Sequence, residues 1–149
     1  MNLELRKATL NDCKLIFDWA NDKDVRNNAI NQNAITWEDH CTWFSKILFS
    51  PDSSIFILTI NKMPAGQIRL DKNAKGWFIT YSVDKAQRGK GIGKMLITKG
   101  IEHVPNGDIF ALVRCENIAS IKVFERLGFD KLKEEKSGTD CFITYIKRK

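Results

Sequence analysis

The apolar positions of this chain change period several times, and each change marks an element. Leu3 and Leu5 alternate with polar or charged neighbours up to about Ala8, the pattern of a strand. Leu10, Cys13, Ile16, Phe17 and Ala20 then recur at helical spacing behind Thr9-x-x-Asp12, a capping-box variant, so a helix is predicted from about residue 10 to 21. Residues 21–33 (NDKDVRNNAINQN) carry no period and read as a long polar connection, the kind that is functional or disordered. Thr36-x-x-Asp39 caps a second helix, from about Trp37 to Phe49. One stripe of that helix is Trp37, Cys41, Phe44 and Leu48; the other is His40, Trp43 and Ile47. A helix with two such faces lies deep in a core or lines a pocket.

Three strands follow with only short turns between them: 54–60 (SIFILTI), 65–71 (AGQIRLD) and 77–83. Their spacing predicts an antiparallel meander. A helix is predicted over 92–103 and ends at Pro105-Asn106-Gly107. The apolar run 109–113 (IFALV) is a strand. The helix between it and the strand at 77–83 makes a crossover, so those two strands should be parallel. Asn117 can cap a further helix with Ile118, Ile121, Phe124 and Leu127 inward and Gly128 at C′. Residues 129–135 and 141–147 close the chain as a hairpin around Ser137-Gly138. The expected class is α+β: one domain, 1–149, with a mixed, mostly antiparallel sheet of about seven strands and about four helices.

The stretch from Tyr81 to Gly100, YSVDKAQRGKGIGKMLITKG, runs from strand through a basic Gly-rich turn into a helix. Free N–H groups at a helix start, with the dipole behind them, attract an anion. Gly89, Gly91 and Gly93 leave the backbone bare for close approach, and Arg88, Lys90 and Lys94 add charge. A P-loop is excluded, since Met95 follows Gly93-Lys94 where Ser or Thr is required; a dinucleotide fingerprint is excluded by Lys94 at the third glycine. What fits is Arg88-x-x-Gly91-x-Gly93, which resembles the acetyl-CoA signature of GNAT-type N-acetyltransferases. A second block, Asn117-Ile-Ala-Ser120-Ile-Lys-Val-Phe124-Glu-Arg-Leu-Gly128-Phe129, resembles another segment of that family at about the expected distance downstream. The predicted element order is also that of the GNAT fold, and the resemblance is specific across about residues 77 to 129.

This resemblance implies a sheet whose central parallel pair splays apart to admit acetyl-CoA. The backbone of Tyr81, Ser82 and Val83 would pair with the pantetheine arm, one amide at Tyr81 or Val83 serving as oxyanion donor. Arg88, Gly89, Lys90, Gly91, Ile92, Gly93 and Lys94 would hold the pyrophosphate. Asn117, Ser120 and Phe124 would meet the pantetheine and thioester end. The reaction is direct attack of an amine on the thioester, which needs a base for the amine and an acid for the thiolate. The tyrosine that frequently serves as acid in this family is replaced here by Phe124, so Ser120, a water or no acid at all would complete the step. Glu116 is the first candidate base and His40 the second; the plainer readings are a solvated cap carboxylate and a packing histidine. His103 is expected to favour a helix C-terminus.

For the acceptor, Trp19-Ala-Asn21-Asp22-x-x-x-Arg26 and Ile35-Thr36-x-x-x-His40-x-x-Trp43 resemble a subgroup containing ribosomal-protein N-terminal acetyltransferases and pseudaminic-acid-pathway enzymes that act on a nucleotide-linked 4-amino sugar. The resemblance to the sugar enzymes implies a small-molecule amine, with Trp19, Arg26, His40, Trp43 and Arg69 as substrate contacts and Trp77 as a further stacking surface. Peptide N-terminal or small-amine acetylation, and a CoA-binding module without catalysis, are the alternatives.

Composition narrows the picture. Hydrophobic content is 43% in 149 residues, ordinary for a globular chain, and the net charge of +6 suits an anionic ligand. The basic residues are spread out, so no nucleic acid is expected. No apolar run approaches the length of a membrane span, and the first residues lack a signal-peptide core. Cys13, Cys41, Cys115 and Cys141 are scattered with no C-x-x-C pair, which argues against a metal and against disulfides, and favours the cytoplasm. A homodimer is left open.

Overall fold

The computed structural model describes residues 2–149. Its strands are β1 (Leu3–Lys7), β2 (Ser53–Ile60), β3 (Met63–Asn73), β4 (Gly76–Val83), β5 (Ile109–Arg114), β6 (Asp130–Ser137) and β7 (Asp140–Lys147). Its helices are α1 (Cys13–Ala20), entered through a 3-10 turn, then α2 (Lys23–Asn27), α3 (Trp37–Leu48), α4 (Ile92–Ile101) and α5 (Ile118–Arg126). The strands form one sheet in the order β1-β2-β3-β4-β5-β7-β6. β1 to β4 are antiparallel neighbours, as the short turns predict, and β4 and β5 are the parallel pair that the crossover helix requires.

That parallel pair is brief. β4 pairs with β3 along its whole length, but with β5 only at Trp77–Ile109 and Phe78–Phe110. From Ile79 onward the β5-side edge of β4 is open, and the backbone there is offered to something other than a strand.

Helices cover both faces. Ile16 and Trp19 of α1 and Phe44 of α3 pack with Ile55 and Ile57 on one face. Leu96 and Ile97 of α4 and Phe124 of α5 pack with Ile68, Leu70, Ala111 and Tyr145 on the other. Gly100 lets α4 press onto the sheet, since a Cβ there would lie 2.5 Å from the Ile68 Cδ1 atom. Among the described residues no helix is long and apolar enough to cross a membrane.

Several expectations are corrected. Residues 21–33 are not wholly irregular: Asp22 accepts from the Asp24 and Val25 amides and so starts the short helix α2. Trp37 and Ile118, predicted inward, are 46% and 56% exposed. His103 stacks on the Phe56 ring at 4.2 Å between centroids, a packing contact rather than a dipole partner alone. The expectation of unpaired cysteines also fails, because Cys115 and Cys141 form a disulfide with their Cα atoms 5.4 Å apart. They are 26 residues apart in sequence, and spacing alone gave no sign of it. β7 lies beside β5, so the end of one strand meets the start of the other. Cys13 and Cys41 remain free.

Candidate active site

The site is built on the open edge of β4 and the turn that leaves it. Asp84 ends the strand and accepts from the Ala86 amide, which starts a 3-10 turn. The same carboxylate accepts from the Trp19 indole N–H at 2.8 Å and ties the turn to α1. Gly89 and Gly91 then take φ of +79° and +78°, values an L side chain strains to adopt. Gly91 is the N-cap of α4 and has no side chain to occupy the first-turn amides. Around Gly91 a Cβ would meet nothing within 4 Å, and Gly91 itself borders an open groove. Gly93 is tight instead, with a Cβ there only 3.0 Å from the Tyr81 ring.

A groove of about 650 Å³ runs from this cradle along β4 to α5. Its walls include Tyr81, Ser82, Val83, Arg88, Gly89, Gly91, Ile92, Gly93 and Lys94, with Asn117, Ser120 and Phe124 opposite. Of the residues the sequence assigned to this site, Lys90 alone lies off the lining; its ammonium donates to Gln87 Oε1 at 3.3 Å. Asn117 Oδ1 accepts from the Ser120 amide and opens α5. Phe124 is 2% exposed and presents an edge-on contact to Tyr81. The Tyr81 hydroxyl and Ser120 Oγ share a hydrogen bond of 2.7 Å across the groove. Burial pushes the Tyr81 phenol above its usual pKa, with the Ser120 bond opposing.

A second cavity of about 360 Å³ lies under α3. Arg26, Asp39, His40, Trp43, Gln67 and Arg69 line it, and it shares Val25, Arg26, Thr80, Tyr81 and Ser82 with the groove. Arg69 donates to Asp71 Oδ2 at 2.8 Å and sits 5.1 Å over the Trp43 ring. Arg26 donates to the carbonyls of Ala20, Asn31 and Asn33, which folds the α2–α3 connection around its guanidinium. His40 is 1% exposed, and its Nε2 meets the Cys13 carbonyl at 2.9 Å, so that nitrogen carries the proton. Burial lowers the His40 pKa, with the Cys13 carbonyl bond opposing, so the ring is neutral near pH 7.

Besides Lys90, the predicted residues Glu116, Trp19 and Trp77 do not reach either cavity. Glu116 lies outside both linings with its side chain 58% exposed, 3.7 Å from the Arg114 guanidinium; the turn before α5 aims it at solvent. Trp19 is 6% exposed and is spent on the core and on Asp84. Trp77 is likewise off both linings, with Lys72 over its ring.

Other residues went unnoticed in the sequence. Asp39 looked like a cap partner only, yet it lines the second cavity. Arg114, 3% exposed, donates to Asp140 and to the carbonyls of Ala29 and Ile30, and so pins the α2–α3 connection against the groove. A lone arginine at a strand end carries no sequence signal for that role.

The model of the acetyltransferase (GNAT) family matches residues 14–129. The chain is 30% identical over 121 residues to an uncharacterized N-acetyltransferase of Methanocaldococcus jannaschii, covering 71% of this chain and 50% of that one. The chain spans about half the length of that curated relative and less of the others it matches. Among solved structures it is similar to spermidine N-acetyltransferase from Vibrio cholerae in complex with CoA and spermine, with a TM-score of 0.86 at 15% identity over 97% of this chain and 94% of that one. It is also similar to aminoglycoside acetyltransferase AAC(6')-Ib in complex with coenzyme A, with a TM-score of 0.81 at 16% identity over 99% and 95%. These two show a shared fold. The chain belongs to the acetyltransferase (GNAT) family.

Proposed function

We propose that this family member transfers the acetyl group of acetyl-CoA to a primary amine held in the cavity under α3. The observation that carries the reading is the shared wall: Thr80, Tyr81 and Ser82 border both the groove and the cavity, so an amine on one side faces a thioester on the other. The bare amides of the cradle and the positive charge of Arg88 and Lys94 suit a pyrophosphate. The open edge of β4 suits an extended amide-bearing arm, as a strand would. Held together, donor and acceptor react largely through positioning. A β4 amide serves as the oxyanion donor. With Glu116 exposed, neutral His40 is the better-placed proton acceptor for the amine.

The acceptor we favour is the 4-amino group of a nucleotide-linked amino sugar. Trp43 offers a face for a sugar or base, and Arg26 and Arg69 border the same cavity, although both already have partners. Asp39 favours a second reading, a cationic small amine such as a polyamine or aminoglycoside, since a carboxylate attracts ammonium groups. Thiol release from acetyl-CoA against nucleotide amino sugars, polyamines, aminoglycosides and free N-terminal peptides separates these. Turnover led by nucleotide amino sugars supports the first; turnover led by polycations supports the second. A peptide preference displaces both. Binding of acetyl-CoA with no turnover across the panel rejects the acceptors named here and leaves a binding module.

A further inference from the structure

We propose that the Tyr81 hydroxyl gives its proton to the sulfur of CoA as the thioester breaks, with Ser120 holding the resulting tyrosinate. This rests on the acetyl-transfer reading above. Phe124 has no proton to give and lies buried against the Tyr81 ring, their centroids 5.8 Å apart. Among the described residues Tyr81 is the only tyrosine on either lining, and it belongs to the wall shared by donor groove and acceptor cavity. Its hydroxyl does not wander: Ser120 Oγ holds it at 2.7 Å from the far side of the groove, and Gly93 leaves room for its ring. Thr80 and Ser82 share the wall, but aliphatic hydroxyls are far weaker acids than a phenol of pKa about 10.

The step balances. The amine lone pair forms the C–N bond, and the C–S pair leaves with sulfur. Tyr81 Oη delivers a proton to that sulfur as its charge develops, and the Ser120 hydroxyl turns to donate to the phenolate. The nitrogen loses one proton to His40 or water, and Tyr81 regains one from water after the thiol departs. A thiol of pKa about 8.5 is a stronger acid than the phenol, so the transfer belongs with bond breaking rather than after it. Burial keeps the phenol protonated beforehand.

Tyr81→Phe tests this, since the ring that packs on Gly93 and Phe124 is retained. The expected result is a fall in kcat of about 10²-fold or more with the KM for acetyl-CoA little changed. The wild type should also lose kcat at alkaline pH as the phenol ionises, and the variant should lack that limb. A second readout needs no acceptor: wild type should bind CoA more tightly than desulfo-CoA, and Tyr81→Phe should lose that preference. A kcat within about twofold of wild type, or an unchanged preference for the sulfur, overturns the assignment. A wild-type chain that binds neither nucleotide overturns the acetyl-CoA reading together with it, whereas good binding and turnover with an unaffected Tyr81→Phe overturns this step alone.

Discussion

Arg88 leaves the cradle to donate to Asp22 Oδ1 at 2.6 Å, joining the turn before α4 to the first residue before α2. Its other terminal nitrogen donates to Asp24 Oδ2 at 2.9 Å. The residue best placed to neutralise a phosphate is therefore already held by two carboxylates, one of which, Asp24, borders the groove itself. A bound pyrophosphate must share that guanidinium or draw it away. Asp22 cannot be removed cleanly, because it caps α2; Asp24 is more exposed and is the better probe. Asp24→Asn should tighten acetyl-CoA binding by about two- to fivefold at low salt, the scale of one exposed ion pair, and the gain should shrink as salt rises. Calorimetric titration at two ionic strengths checks it; weaker binding in the variant would mean that Asp24 serves the site rather than competing with it.

The cradle itself depends on backbone shape. Gly91→Ala places a Cβ in open space but at φ +78°, so the cost is strain in the N-cap of about 1 kcal/mol rather than a clash. Gly91→Glu adds a like charge beside the phosphate. Acetyl-CoA affinity should fall modestly in the first and be lost in the second, while thermal melts of the free chain stay close to wild type. Equal affinity in Gly91→Glu would remove the anion site.

In the proposed function His40 ranks above Glu116 as base, the reverse of the order the sequence suggested. Glu116→Gln should leave kcat within about twofold, since the carboxylate faces Arg114 and solvent. His40→Gln should lower kcat more than it changes the KM for acetyl-CoA. Steady-state kinetics on both variants decide it, and the reverse ranking would restore Glu116 as base.

His40 also links stability to pH. Its folded pKa lies below the ordinary 6.5, because burial disfavours the charged ring. Above 6.5 both states are neutral there and stability is full. As pH falls below 6.5 the unfolded chain takes up a proton that the folded chain refuses, so stability drops until the folded pKa is passed. Urea unfolding between pH 7 and 5 should show this slope in wild type and a shallower one in His40→Gln. Identical slopes would place the pH dependence on other groups.

The Cys115–Cys141 bond closes a loop with a sequence separation of 26. Chain-entropy arguments put the loss on opening such a loop at about 3 kcal/mol. Reductant should lower the urea midpoint of wild type, and Cys141→Ser should start at the lower midpoint and ignore reductant. A wild-type midpoint indifferent to reductant would count against the bond in solution.

Much of the scaffold was legible because its signals are local. Residues 54–60 are apolar enough to specify a buried strand, and Asn117 and Gly128 mark both ends of α5 by capping and by a positive φ of +84°. The groove proposed for acetyl-CoA was legible for a related reason, since a turn built on Gly89 and Gly91 reveals a backbone demand that few other residues meet. The acceptor side was harder to read. Arg26, His40, Trp43 and Arg69 do border one cavity, but Trp19 and Glu116 do not, because a periodic pattern says which face a residue occupies and not how deep or towards what.

What the sequence by itself determined is the element order, the parallel crossover and the glycine-rich turn before α4, each set by propensity, periodicity or backbone freedom over a few residues. Only the tertiary structure decided which distant groups meet. Tyr81 and Ser120 are 39 residues apart and share one hydrogen bond because β4 and α5 flank the same splay. Cys115 finds Cys141 because β7 inserts beside β5, and Arg88 finds Asp22 because α2 folds back over the cradle. Those meetings are fixed by sheet order and helix packing, which no local stretch encodes.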